Sequence, residues 1–206
     1  MIMKNTAEFD VKFKHLPEPE LAKARHYPGQ PSMWFFVIGD LLIFGVYFVA
    51  YMAYRNQDLN LFLQSQQHMN RELGGANTLL LLTSSLFVAL GTESARSGRN
   101  SVGVRFFFIA FLLGSLFPLI KFFEWIPKID SGHTPGENLF FMFYYIMTGL
   151  HLVHVVLGLV IMGFVIRNLR ADIGQVDIKF IESGATYWHM VDVLWLILFA
   201  LFYLLR

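Results

Sequence analysis

The 206-residue chain contains no cysteine. That absence excludes disulfides, thiolate metal sites and iron-sulfur clusters together, so any metal would have to be held by histidine and carboxylate. Charge is scarce as well. Asp, Glu, Lys and Arg make up 15% of the residues, where a soluble domain carries about a quarter. No Lys/Arg cluster is interleaved with exposed aromatics, which excludes a nucleic-acid-binding module. The first thirty residues, MIMKNTAEFDVKFKHLPEPELAKARHYPGQ, hold no apolar run of signal-peptide length. Their mixed charges, with Pro17, Pro19, Pro28 and then Pro31, read as an extended, cytosol-facing tail over residues 1–31. Internal repeats and low-complexity tracts are also missing.

What the chain has in abundance is apolar surface, 55% hydrophobic residues and 17% aromatic ones, chiefly Phe. Five segments, about 32–54, 76–95, 102–125, 138–166 and 183–205, approach or exceed the roughly 20 residues that span the hydrocarbon of a bilayer. The expected fold is therefore an all-α integral membrane protein, a five-transmembrane-helix bundle over residues 32–206. Pro118 should kink the third helix. The connections Asn56 to Gly75 and Ile126 to Glu137 are polar and carry turn formers, Gly74-Gly75, Ser131-Gly132 and Pro135-Gly136.

An odd number of spans places the termini on opposite sides, and Lys/Arg counting sets which is which. The tail and the second and fourth connections hold Lys4, Lys12, Lys14, Lys23, Arg25, Arg96, Arg99, Arg105, Arg167, Arg170 and Lys179. The other side holds Arg55, Arg71, Lys128 and Arg206, with Lys121 inside a helix and uncounted. The N-terminus is expected to be cytoplasmic and the C-terminus periplasmic.

Ionisable groups inside the spans are costly, about 2.5 to 3.5 kcal/mol each on insertion scales, and so mark structure or function. His189 and Asp192 sit one turn apart in ATYWHMVDVLWLILFALFYLL. At 1.5 Å per residue they share an inner-half depth with Asp40, and His151 and His154 lie about one turn deeper. Together these five form a candidate polar layer. His189 and Asp192 can satisfy one another, and His151 and His154, near Gly149, Gly158 and Gly163, can act as interhelical glue. Asp40 has no partner on its own helix, so it finds a His, a lipid headgroup or a proton path, or is carried uncharged. Lys121 and Glu124, at i and i+3 near the outer end of the third span, pair or snorkel.

A haem held by His151 or His154 with His189, or a metal held by the His and Asp residues, is the alternative reading. It is weakly specified. A two-haem cytochrome repeats His pairs at two depths, and a carboxylate-bridged metal pair wants Glu-x-x-His, which is missing. A proton-coupled transporter would use the same groups as a relay, yet repeats and broken helices are lacking.

Beyond these residue-level readings, YWHMVDVLW and FYYIMTGLHLVHVVLG closely resemble signature segments of subunit III of the haem-copper oxidases. MWFFVIGDLLIFGVYFVAY is similar to the family's first acidic helix, with Asp40 where Glu is common. ANTLLLLTSSLFVAL matches Asn-Thr-x-x-Leu-x-x-Ser, and KFFEW is similar to Gln/Lys-x-x-Glu-Tyr, with Trp125 in place of Tyr. The five-helix length, PGQPSMWFF and the YWHMVDVLWLILF ending look most like the NorE-type branch, associated with nitric oxide reductases. The resemblance implies an accessory subunit without a catalytic centre, haem, copper or other metal of its own. It implies a catalytic subunit I-like partner carrying haem and copper or iron, in a bacterial cytoplasmic membrane. The implied role is assembly, lipid ordering and proton uptake for oxygen or nitric oxide reduction, with bound phospholipid as a companion. By resemblance, Asp40, His151, His154, His189 and Asp192 form a structural or lipid-anchoring layer, and Lys121 with Glu124 an outer polar pair.

Overall fold

The computed structural model describes residues 29–170 and 176–205. The expected tail over 1–31 lies almost entirely outside the described residues. Those described form six α-helices and no strand: α1 (Pro31–Gln57), α2 (Leu59–Gln67), α3 (Arg71–Arg96), α4 (Asn100–Asp130), α5 (Leu139–Leu169) and α6 (Ile178–Phe199), the last running into a π-helical turn over Ala200–Leu204. Five of them, all but α2, are long and apolar enough to cross a membrane.

The spans run past the apolar segments that announce them because polar caps outside those segments set their ends. Asn70 Oδ1 accepts from Leu73 N at 3.1 Å, so α3 starts at Arg71 and carries Gly74 and Gly75 within it instead of in a turn. Asp177 Oδ1 accepts from Phe180 N at 3.1 Å and starts α6 at Ile178. Asn138 caps α5 in the same way. Each such cap supplies an acceptor to an amide that the helix itself leaves unpaired. The connection Asn56 to Gly75 also holds the short amphipathic α2, begun by Asp58 and laying Phe62, Ser65 and Gln66 on the bundle end. α4 is continuous through both Pro118 and Pro127 as far as Asp130.

α6 is the centre of the bundle and α1 its periphery. Of their apolar windows 56% and 11% respectively are buried within the protein. α1 buries only one narrow stripe, Val37, Phe44 and Tyr51, a spacing of seven that keeps one face turned inward. Most of its other apolar side chains face outward, as a lipid-facing helix requires. In α6, Trp188 is clasped between α4 and α5. A Cβ on Gly114 would meet its ring at 2.7 Å, and one on Gly158 at 2.8 Å. Gly158 thus serves close approach as the sequence suggests, whereas Gly163 faces open space and Gly149 meets only Trp125 at 3.9 Å.

The start of α1 and the end of α6 lie at opposite ends of the bundle. Gly29 N donates to Glu182 Oε2 and Gln30 N to Ser183 Oγ, both at 2.9 Å, so the beginning of α1 meets the beginning of α6. This is called the tail end here, and the one holding α2 and Lys128 the far end.

Candidate functional site

Polar groups line the whole seam between α3 and α6. Arg96 Nε donates to Glu182 Oε1 at 2.8 Å, Ser85 Oγ meets His189 Nδ1 at 2.6 Å, and Trp195 Nε1 donates to Thr78 Oγ1 at 3.0 Å. Numbers fall along α3 as they rise along α6, so the two helices run antiparallel in close register. Glu182 is buried. It joins Gly29 ahead of α1, Arg96 of α3 and its own helix α6 at once, and its carboxylate accepts charge-assisted bonds of the stronger class.

The five residues of the expected layer fall into three settings, and no hydrogen bond joins the settings among the described residues. His189 does not bond to Asp192. Both address the Ser85 hydroxyl, and Asp192 Oδ1 is left without a partner among the described residues. The reason is direction: two side chains at i and i+3 on α6 both point at α3, where a serine stands between them. His189 also borders a cavity of about 240 Å³ with Thr92, Arg96, Glu182 and Thr186, opening toward the tail end.

Asp40 and His154 make the second setting. Asp40 Oδ2 stands 3.4 Å from His154 Nε2, both partly exposed in the groove between α1 and α5. The separation is that of an ion pair without hydrogen-bond geometry. His154 Nδ1 lies 2.7 Å from the Leu150 carbonyl, which can only accept, so Nδ1 carries a proton.

His151 stands apart. It is fully buried, stacked on Trp195 at 5.3 Å and edge-on to Phe117 at 5.3 Å, and neither ring nitrogen has a partner among the described residues. Among the described residues no three His, Asp or Glu side chains converge as a metal site would need.

Lys121 and Glu124 belong to a larger cluster at the far end that the sequence shows only in part. Both are buried, so neither snorkels. Glu124 Oε2 accepts from Lys121 Nζ at 2.9 Å. Its Oε1 accepts from Tyr203 at 2.6 Å, Tyr144 at 3.0 Å and Lys128 Nζ at 3.1 Å. Lys121 also donates to Tyr203 Oη at 2.7 Å and lies 4.7 Å over the Trp195 ring. Tyr203 reaches this position because the last turn is π-helical, the Leu205 amide bonding back to the Ala200 carbonyl. The Leu201 carbonyl accepts instead from Tyr51 at 3.3 Å and Gln66 at 3.5 Å.

Glu182, Lys128, Tyr144 and Tyr203 are the functional candidates that residue reasoning missed. Glu182 and His189 are a heptad apart, which places them on one face of α6. Lys128 follows Glu124 by four, completing an i, i+3, i+7 run of charge on α4.

Comparison with known proteins gives this arrangement a context. The family model described as cytochrome c oxidase subunit III matches residues 29–206. The cytochrome c oxidase subunit 3 of Synechocystis sp. is 30% identical over 172 residues, 82% of this chain and 72% of that protein. The cytochrome bo(3) ubiquinol oxidase subunit 3 of Buchnera aphidicola subsp. Schizaphis graminum is 26% identical over 177 residues, covering 84% and 92%. A haem-copper oxidase subunit I+III of Aeropyrum pernix is 26% identical over 188 residues, 84% of this chain and 22% of that longer polypeptide.

Proposed function

The chain belongs to the cytochrome c oxidase subunit III family, and from that premise we propose that it is the non-catalytic accessory subunit of a respiratory haem-copper complex. The observation that carries the reading is where the intramembrane charge goes. Lys121, Glu124, Lys128, Arg96 and Glu182 are engaged with one another and with hydroxyls inside the bundle. Groups engaged with one another in this way fix helix packing. The haem and the copper or iron belong to a catalytic partner like subunit I, and the relative whose name joins subunits I and III in one polypeptide supports that pairing.

The finer features follow from individual sites. The Lys/Arg asymmetry favours a cytoplasmic tail end and a periplasmic far end in a bacterial cytoplasmic membrane. An apolar groove of about 430 Å³ between α1, α5 and α6, lined by Phe36, Leu157, Ile161, Phe180 and Tyr187, suits an acyl chain and supports a lipid-ordering role. The Asp40–His154 pair, 3.4 Å apart at the edge of the bundle, suits a part in proton uptake. Its partner complex reduces oxygen or, if the chain belongs to the five-helix NorE-type branch, nitric oxide.

Removal of the chain from the assembled complex tests this. The remaining complex should keep its haem spectrum and its initial turnover but lose activity sooner under sustained turnover. A complex with no initial activity would refute a non-catalytic role. Asp192→Leu, which removes a carboxylate with an unpartnered oxygen, should lower complex yield, bound lipid or turnover lifetime; no change in all three would overturn its assignment to assembly.

A further inference from the structure

The charge at the far end does not balance. Two buried ammonium groups, Lys121 and Lys128, share one carboxylate, Glu124, and the other members of the cluster are the neutral hydroxyls of Tyr144 and Tyr203. A net positive charge buried at a helix end is expensive unless an anion meets it. The carboxylate already accepts from four donors, three of them at Oε1. Lys128 does have capacity: Nζ carries three N–H groups, and its one hydrogen bond among the described residues goes to Glu124.

Beside Lys128 lies a cavity of about 280 Å³ whose polar lining is Glu124, Lys128, Asn70, Ser131, His68 and His133. Asn70 uses its carbonyl oxygen to cap α3, which leaves its NH2 as donor. α3 begins at this rim, so the positive end of its dipole adds to the same sign. The acidic neighbour Glu137 is held by His133 at 2.9 Å. Toward the membrane the cavity is bounded by Leu73 and by Phe123, which is 73% exposed.

We propose that this cavity binds a phosphate group, that of an anionic phospholipid headgroup in the leaflet at the far end. Lys128 is its charged ligand, Asn70 a rim donor, and an acyl chain runs down past Phe123. The depth argues for a lipid over a free ion, because the cavity sits at the end of a membrane span with an apolar wall on one side and polar rim on the other. The site is separate from the apolar groove beside α1 and does not depend on which catalytic partner the chain joins.

The test uses the full chain, delipidated in detergent. Native mass spectrometry is run with added phosphatidylglycerol or phosphatidylcholine, and inorganic phosphate is titrated in parallel. The site predicts one tightly held phosphatidylglycerol, weakened about tenfold or more in Lys128→Gln, since a charge-assisted bond is worth about 1.5–3 kcal/mol. Arg99→Gln, exposed at the tail end, should leave it unchanged. Asn70→Asp keeps a competent helix cap yet places a negative charge at the rim, so it should weaken binding in a folded protein, most at low salt. Retention of phosphatidylglycerol by Lys128→Gln and Asn70→Asp at wild-type affinity would overturn the site. Binding of inorganic phosphate alone, lost in both variants, would overturn the lipid as its source.

Discussion

At the residue scale the consequential side chain is Glu124, the one carboxylate between two buried lysines. Glu124→Gln should destabilise the protein by about 3–5 kcal/mol, because breaking a buried pair leaves charge uncompensated. Thermal unfolding in detergent would show it as a large drop in midpoint. Lys128→Gln should cost much less, since Lys121 still pairs with the carboxylate. Ser85→Ala is expected to be mild, about 0.6 kcal/mol and at most about 1.7, the range for interhelical hydrogen bonds in membranes. A loss well above that range would mean that His189 and Asp192 depend on Ser85 for more than one bond. Residue identities were partly legible in sequence. Lys121 and Glu124 pair as their i, i+3 spacing implies, and a His, His154, is what stands near Asp40. Tyr203, Tyr144 and Ser85 were not legible as partners, because their roles depend on which helix faces which and on one π-helical turn at the chain's end.

At the scale of elements, the spans were legible because about 20 apolar residues leave few alternatives. Their ends were not, because Asn70 and Asp177 act from outside the apolar runs, and Gly74-Gly75 looks like a turn until Asn70 is seen to start the helix before it. The single polar layer inferred from depth dissolved for a related reason. Equal depth says nothing about azimuth, so His151 faces aromatics, His154 faces α1 and His189 faces α3. The α4–α6–α5 packing is the most sensitive element contact. Gly114→Ala and Gly158→Ala each drive a methyl into Trp188 and should cost about 1–3 kcal/mol. Gly163→Ala, facing open space, should be neutral. Unfolding midpoints of the three variants compared side by side check this, and an equal effect in all three would contradict the clasp around Trp188.

At the scale of the whole molecule, the bundle spends its buried charge on holding itself together and presents apolar flanks, chiefly α1, outward. Membership of the subunit III family is what connects such a bundle with a larger membrane assembly in the function proposed above. The most direct measurement is affinity purification of the tagged chain from its native membrane, with visible spectra taken before and after the subunits are separated. The account predicts that a haem-bearing subunit co-purifies and that the Soret band leaves with it. A stoichiometric Soret band retained by the separated chain, or purification without any haem-bearing partner, would contradict it.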